Sequence, residues 1–376
     1  MIASGALLVG GMLPALATGL SIPITQAAYL ITVFALSVCF SAPFLAALTA
    51  RFERRSLLVT VLLIFAATHA ACAVVDQFQA MAILRALSGL ASALFTPQAA
   101  ATVALLVPAE RRASAIASVF MGWAVAAVIG MPLGAYIAAE VGWRAGYMLV
   151  AVGSLLAALA VFRVLPTGVK TQVAGFEMWK QLLGNVPLML AIFITALQAS
   201  GQFVAFGFLV PAFQSMASAS HAQVSLLLAI YGLMGVVGSL CAGKLADKFG
   251  ASQVVSVCCV FVFFGMLLWP MGQGSLGWLA LVQVIWGLGG LAVNSTQQGR
   301  LANMAPSLAP VSIALNTSCM YLGQAVGTAI GVATLHNFSP AGTTDAGFQW
   351  LGPVGAPFLL AAIVLSIFVQ KQVNQK

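Results

Sequence analysis

Gly243-Lys244-Leu245-Ala246-Asp247-Lys248-Phe249-Gly250 is a short charged stretch between two long apolar runs. A weaker copy, Ala46-Ala47-Leu48-Thr49-Ala50-Arg51-Phe52-Glu53, occurs about half a chain length earlier, with Leu, a basic residue and Phe at matching places. A repeat of this period within apolar sequence indicates two related halves inside a membrane.

The composition excludes a soluble globular protein. Of the 376 residues, 62% are hydrophobic and 6% are charged, and the mean hydropathy is +1.06. Such a chain has too few polar residues to cover a water-exposed surface. Its net charge of +8 comes from basic residues that lie singly or in short clusters between apolar runs, not on one face. We therefore expect a lipid bilayer as partner and no nucleic acid. The six cysteines show no metal-ligand spacing, so no metal site is predicted.

Breaks at Pro, Gly and charged residues divide the sequence into twelve runs, each about the 20 residues needed to cross a bilayer. The predicted spans are 2–19, 25–48, 56–75, 79–105, 112–138, 145–165, 186–212, 222–245, 253–271, 275–302, 309–334 and 347–369. The first begins at the start of the chain without a polar flank, so we expect a missing or misassigned N-terminus.

The basic residues are distributed asymmetrically about these spans. With the N-terminus inside, only Arg144 falls outside and only Arg85 lies well within a span, as the positive-inside rule requires. We predict a multi-pass protein of the bacterial cytoplasmic (inner) membrane with both termini in the cytoplasm. Its predicted parts are an N-terminal six-helix half, a cytoplasmic linker that is either amphipathic or plain, and a C-terminal six-helix half, at residues 1–165, 166–185 and 186–376.

Further motifs accompany the two loops. They are Arg85-Ala86-Leu87-Ser88-Gly89, Gly130-Met131-Pro132-Leu133-Gly134 with Gly142-Trp143-Arg144, and Asn294 to Arg300 with Ala314 to Ser318 and Tyr321 to Gln324. Together with Gly243 to Gly250, they resemble the major facilitator superfamily across the whole chain, in particular its twelve-span, arabinose-efflux-like drug and sugar efflux branch. The resemblance implies an all-α membrane protein with twelve transmembrane helices in two pseudo-symmetric six-helix halves. It also implies a secondary transporter, not an enzyme, that exports a small molecule by alternating access.

The loop copy in the second half is a candidate conformational latch. Its residues Gly243, Asp247, Lys248 and Gly250 place a carboxylate at a helix end, where it can accept from backbone N–H groups and pair with a base. A solvated turn that only sets topology is the alternative. In the first copy, the expected acid and glycine are absent, so a latch there is missing or rebuilt around Glu53.

Arg85 is a candidate substrate-binding residue because a buried charge needs a partner, water or a solute. Gly89, Ser92 and Thr96 follow on the same helical face, which favours a central cavity. Snorkelling of the side chain to the outer interface is the alternative.

Glycines at four-residue spacing indicate close helix packing, with antiport-specific coupling as the alternative. These residues are Gly130 and Gly134, on either side of Pro132, and Gly323 and Gly327 in span eleven.

A mixed amide and aromatic face in span seven suits an uncharged polar or amphipathic solute. It consists of Gln198, Gln202, Phe203 and Phe206, and other spans add similar side chains at Tyr231, Gln283, Trp286, Asn294 and Asn316. Interhelical hydrogen bonding is the alternative for each amide.

Energy coupling rests on the resemblance, which implies proton antiport driven by the proton gradient, without a cofactor. Every acidic residue falls at a span end or in a connection, and a lone His69 is more typical of a hydrogen-bonded interface residue. An uncoupled facilitator and a transporter-like sensor or inactive fragment therefore stay open as alternatives. We expect a monomer.

Overall fold

The computed structural model describes residues 1–49, 52–108, 112–169, 176–339 and 345–374, and no strand occurs in these ranges. Its α-helices are α1 (Ile2–Gly11), α2 (Leu13–Gly19), α3 (Ile24–Leu48), α4 (Arg54–Cys72), α5 (Phe78–Leu106), α6 (Arg112–Val125), α7 (Met131–Glu140), α8 (Trp143–Val164), α9 (Phe176–Gly184), α10 (Val186–Phe206), α11 (Leu209–Ala217), α12 (His221–Phe249), α13 (Ala251–Leu267), α14 (Leu276–Gly290), α15 (Ala292–Met304), α16 (Ala309–Asn337) and α17 (Leu351–Asn374).

The membrane-spanning elements are slightly fewer than the predicted twelve but compatible with them. Within the described ranges, ten helical segments are long and apolar enough to cross a bilayer, and the bent pair of α1 and α2 makes eleven when counted as one span. The remaining predicted span corresponds to α13, an apolar helix of 17 residues. The all-α membrane fold in two six-helix halves is confirmed.

Several predicted spans are interrupted rather than continuous. The first bends by 68° between α1 and α2, where Pro14 lacks the N–H that would continue the helix. The fifth contains a π-helical turn over Ala126–Gly130 directly before Pro132, and the wider turn accommodates the proline ring. The seventh ends at Phe206 and resumes as α11, which contains Pro211.

We call the end of the bundle that carries α9 the linker end, and the opposite end, which carries Glu140 and His221, the far end. The halves meet where α12 packs on α7 and α3 packs on α16. On α12 the closest of these contacts lie toward the far end. The Ser225 hydroxyl donates to the Pro132 carbonyl at 3.3 Å, and a Cβ on Gly232 would lie 2.6 Å from the Ala127 carbonyl oxygen.

The glycines of α16 bring two helix backbones together within the second half. A Cβ on Gly323 would lie 2.5 Å from the Ala196 carbonyl oxygen, and one on Gly327 would lie 2.3 Å from the Ser200 carbonyl oxygen. In the first half, Cβ atoms on Gly130 and Gly134 would approach α1 side chains at 2.8 and 3.0 Å. The predicted packing residues thus lie at close helix approaches, which larger side chains would obstruct.

The linker includes a short helix, α9. Leu182 is fully buried against the core of the second half, Met178 and Trp179 are partly buried, and Leu183 is exposed. Residues 170–175 lie outside the described ranges, so the predicted boundaries at 165 and 185 stay predictions.

Candidate functional site

Three side chains of α10 project into the second half one helical turn apart. Gln198, Gln202 and Phe206 are all buried, as their four-residue spacing predicts for one face of a helix. The Gln198 amide nitrogen donates to the Gln202 side-chain oxygen at 3.1 Å. The indole N–H of Trp286, on α14, donates to the same oxygen at 3.3 Å. The two helices are thereby joined through one amide.

Aromatic rings surround this amide. The ring centroid of Phe206 lies 5.3 Å from that of Tyr231 and 5.9 Å from that of Trp286, and the Tyr231 and Trp286 centroids are 5.5 Å apart. The rings are tilted or edge-on to one another, the arrangement that aromatic quadrupoles favour. We call Gln198, Gln202, Phe206, Tyr231 and Trp286 the amide–aromatic cluster.

Polar atoms in and near this cluster lack protein partners. Among the described residues, the buried Tyr231 hydroxyl and both polar atoms of the Gln283 amide have no hydrogen bond. The Tyr231 hydroxyl faces the backbone of Gly290, where a Cβ would lie 2.5 Å from it. Each unsatisfied buried group costs about 1–3 kcal/mol, so a solute that hydrogen-bonds to these atoms gains affinity here.

The other predicted substrate residues of this half lie differently. Phe203 is partly buried, and its ring centroid is 5.1 Å from that of Phe206, at the edge of the cluster. Asn316 accepts a hydrogen bond from the Thr195 hydroxyl at 2.6 Å, which fits interhelical bonding between α16 and α10. Asn294 is half-buried on α15, and the structure gives it no bond to the cluster.

Arg85 lies in the first half and is completely buried. Its Nη1 donates to the Gly5 carbonyl at 3.0 Å, and its Nε approaches the Leu30 carbonyl at 3.5 Å. The guanidinium carbon lies 4.3 Å from the ring centroid of Phe34. Its Nη2 has no partner among the described residues. The side chain therefore points inward and does not snorkel, and backbone carbonyls and a ring hold its charge instead of a carboxylate.

Two aromatic side chains complete the surroundings of Arg85. His69 is 1% exposed, and its ring centroid lies 5.8 Å from that of the buried Tyr147. We call Gly5, Phe34, His69, Arg85 and Tyr147 the arginine cluster. For His69 the sequence suggested a hydrogen-bonded interface residue, and the ring is hydrogen-bonded to the Phe65 carbonyl and packs between α1 and α8. The contact of α1 with α4 joins residues that are far apart in the chain, so no periodic sequence pattern predicts it.

The loop copies end their helices differently. In the second copy, α12 continues to Phe249, so the stretch is a helix end rather than a turn, with Gly243, Asp247 and Lys248 exposed. Gly250 has φ of +88°, a conformation that favours glycine, and it lets α13 start immediately. Asp247 makes no hydrogen bond or ion pair within the described residues. The conformational latch therefore stays a prediction, and it concerns another conformation of the protein.

The first copy uses its acid as a helix cap. Glu53 precedes α4 and accepts hydrogen bonds from the backbone N–H of Ser56 at 2.7 Å and of Arg55 at 3.3 Å. The Ser56 hydroxyl first, and then these backbone N–H groups, hold the pKa of Glu53 below its ordinary value because their hydrogen bonds favour the carboxylate. Ala50 and Arg51 lie outside the described residues.

Two further buried arginines were not recognised from the sequence. Arg54 donates to the Gln98 side chain, and Arg300 donates to the Ser366 hydroxyl at 2.9 Å. Both are at most 1% exposed, although charge distribution placed them in connections. Both arginines lie near helix ends at the linker end, which agrees with the positive-inside pattern. Their side chains nevertheless point into the bundle.

Known proteins resemble this chain over its full length. The family model described as Major Facilitator Superfamily matches residues 1–328 and, in a second match, residues 206–374. A chloramphenicol resistance protein of Streptomyces lividans is 32% identical over 368 residues, which make up 96% of this chain and 90% of that protein.

Solved structures share the fold at low sequence identity. A bacterial homolog of the human lysosomal transporter Spinster, inward-facing and unoccupied, has a TM-score of 0.74 at 15% identity over 100% of this chain and 96% of its own. A point mutant of the nucleoside transporter NupG has a TM-score of 0.72 at 14% identity over 98% of each chain. The chain therefore belongs to the Major Facilitator Superfamily and is a membrane transporter rather than an enzyme.

Proposed function

We propose that this protein exports an uncharged, amphipathic small molecule, which binds at the amide–aromatic cluster. The observation that carries the proposal is the buried Tyr231 hydroxyl, which has no partner among the described residues and lies beside the rings of Phe206 and Trp286 and the Gln202 amide. Rings supply contact area for an apolar body, and the amide and hydroxyl fix the orientation of a polar group. No charged side chain belongs to the cluster, which favours a neutral solute.

Chloramphenicol is the first solute to test. It is neutral and carries an aromatic ring, hydroxyl groups and an amide, which match the cluster. The resistance protein of Streptomyces lividans, 32% identical to this chain, gives this choice independent support.

Alternating access of the two halves is the proposed mechanism. Contacts that support it lie toward the far end, where Ser225 bonds to Pro132 and Gly232 meets Ala127. Toward the linker end, Lys244 and Lys248 of α12 are exposed. In the proposed cycle, the far-end contacts break and the two halves separate at that end.

The proposed location is the bacterial cytoplasmic membrane, with both termini inside and the protein acting as a monomer. Lys180, Lys244 and Lys248 are exposed at the linker end, whereas the far end carries Asp76 and Glu140. This distribution supports a cytoplasmic linker end. Impermeant maleimide applied to intact cells should label Arg144→Cys and spare Lys244→Cys, and the reverse labelling would contradict the orientation.

The transport proposal is tested by expression in a bacterial host that lacks its own efflux pumps. The protein should raise the inhibitory concentration of chloramphenicol and lower its accumulation. Gln202→Leu removes the side-chain oxygen that accepts from both Gln198 and Trp286. A loss of about 1–2 kcal/mol in the free energy of binding corresponds to a roughly 5- to 30-fold weaker affinity for chloramphenicol. Gln273→Leu, an exposed change in a connection, is the matched control. Equal resistance with both variants would contradict the site.

Proton antiport is the proposed energy source, with an uncoupled facilitator as the second candidate. The acidic side chains that the structure describes lie at helix ends or in connections, which favours the facilitator. Chloramphenicol uptake into inside-out proteoliposomes should reach a higher final level with an imposed pH gradient. Identical rates and levels with and without the gradient would eliminate antiport.

A further inference from the structure

His69, inside the first half, has a ring nitrogen without a hydrogen-bond partner among the described residues. Its Nδ1 lies 2.8 Å from the Phe65 carbonyl oxygen, and because a carbonyl only accepts, Nδ1 bears the proton of the neutral ring. Nε2 is therefore the unprotonated nitrogen. It is buried and has no hydrogen-bond partner among the described residues. Of the three histidines, His221 and His336 are exposed and His69 alone is buried.

The groups that face His69 are basic or weakly acidic. Arg85 on α5 lies within electrostatic range of the ring, Tyr147 on α8 contacts it, and α1 contributes the Gly5 backbone. Cys72 on α4 lies within electrostatic range of Arg85. Phe34 on α3 and Tyr321 on α16 lie near Arg85.

No carboxylate belongs to this group among the described residues. The acidic side chains that the structure describes are Glu53, Asp76, Glu140, Glu177 and Asp247, all at helix ends or in connections.

The space at Nε2 is closed by α1. A Cβ on Gly5 would lie 2.7 Å from His69 Nε2 and 2.6 Å from Phe65 Cζ. A proton on Nε2 would create a second buried cation next to a guanidinium, against a helix whose Gly5 carbonyl already accepts from Arg85. Such a cation is strongly disfavoured unless α1 moves or water enters.

α1 also contacts the second half. A Cβ on Gly10 would lie 3.8 Å from the Gly207 carbonyl oxygen, and Gly207 directly follows Phe206 of the amide–aromatic cluster. A displacement of α1 at Gly5 therefore changes the contact beside the proposed solute site. The continuous helix from Gly5 to Gly10 links the two clusters physically.

We propose that His69 is the proton-binding residue of the transport cycle and that its protonation moves α1. This rests on the function proposed above. In the conformation open to the far side, the Nε2 lone pair accepts a proton from water and an imidazolium forms, with Nδ1–H unchanged. In the conformation described here, the packing of α1 and Arg85 expels that proton to water at the linker end. One proton then moves inward for each solute molecule exported.

The test separates coupled transport from exchange in proteoliposomes with chloramphenicol as the probe. His69→Gln, which keeps a hydrogen-bond donor for the Phe65 carbonyl, should retain equilibrium exchange of labelled chloramphenicol. Its gradient-driven accumulation should fall to the level measured without a pH gradient. His336→Gln, an exposed histidine variant, should behave as wild type in both assays.

Two other outcomes for His69→Gln would overturn the proposal. Gradient-driven accumulation by His69→Gln would show that another group binds the proton. Loss of exchange and accumulation together, in protein that elutes as a folded species, would show that the imidazole has a structural or binding role only. Failure of wild-type protein to exchange chloramphenicol would instead contradict the proposed function.

A second measurement does not require transport. Adding saturating chloramphenicol to purified protein in weakly buffered detergent solution should release up to about one proton per protein. The double variant His221→Gln/His336→Gln leaves His69 as the last imidazole and should release the same amount. His69→Gln should release none, and release equal to wild type would overturn the proposal.

Discussion

The two halves share a scaffold, but the arginine cluster and the amide–aromatic cluster differ in chemistry. In the first half, Arg85 and His69 gather with Tyr147 against the backbone of α1. In the second half, Gln202 joins Trp286 beside Tyr231, without a charged group. Pseudo-symmetry therefore fixes where helices lie and leaves each half free to hold different side chains.

The corresponding spans of the two halves also break alike. α1 gives way to α2 near Pro14, and α10 gives way to α11 near Pro211. Gly10 and Gly207, close to these breaks, touch across the interface. The difference in chemistry suggests a division of work in which the first half responds to charge, the second binds the solute, and α1 connects them.

Removing the buried charge of the arginine cluster should have the largest effect. Arg85→Ala deletes a guanidinium bonded to the Gly5 carbonyl, and a charge-assisted bond contributes about 1.5–3 kcal/mol, so transport should fall roughly 10- to 100-fold. Membrane insertion should be intact, because removing a buried charge does not hinder it. Transport and surface expression are measured beside Arg163→Ala, an exposed arginine at the linker end. Normal transport by Arg85→Ala would show that the buried charge of the first half is not needed for transport.

Filling the contact between α1 and α4 should have the next largest effect. In Gly5→Ala the added Cβ meets His69 and Phe65 below 3 Å, and such overpacking costs about 1–3 kcal/mol. Its Tm should fall, and its proton release on binding chloramphenicol should change. Gly10→Ala places its Cβ at ordinary contact distance, 3.8 Å from Gly207, and should keep the wild-type Tm. Equal Tm values for both variants would contradict the close packing at Gly5.

The sequence predicted the second half better than the first. Helical spacing brought Gln198, Gln202 and Phe206 onto one face, because residues four apart lie on the same side of a helix whatever surrounds it. Predicting that Tyr231 and Trp286 belong to the same site required only that neighbouring helices face the same core. Asn294, with the same chemistry, has no bond to that cluster, since periodicity does not specify how each helix is rotated in the bundle.

The arginine cluster could not be predicted in the same way. The contact of His69 with Gly5 depends on α1 crossing α4, and two residues 64 positions apart leave no periodic pattern. Arg54 and Arg300 show a related limit. The charge rule identifies the side of the membrane on which a basic residue lies, but not whether its side chain turns inward.

A smaller effect is expected from the hydroxyl that the second half leaves unpartnered. Tyr231→Phe removes a buried polar group that has no bond among the described residues, so stability should rise, by up to about 1–3 kcal/mol. KM for chloramphenicol should increase several-fold, because the solute loses its partner. Tm and initial rates are compared with Tyr136→Phe, an exposed tyrosine. A Tyr231→Phe protein with unchanged KM would place the solute elsewhere, and a lower Tm would show that the hydroxyl is bonded in the protein.

The smallest effect should distinguish the two loop copies by pH. Since hydrogen bonds lower the pKa of Glu53 in the folded state, its stabilisation is present above the unfolded pKa. That stabilisation is lost as pH falls through the lower folded value. Wild type should therefore have a slightly higher Tm than Glu53→Gln at pH 7, and the difference should shrink as the pH falls below the ordinary pKa of glutamate, about 4.3, and vanish below the lower folded value. Asp247→Asn, in the exposed second copy, should keep the wild-type Tm at pH 7, because the carboxylate makes no bond within the described residues. A lower Tm for Asp247→Asn would instead show that the second copy forms its latch in the resting protein.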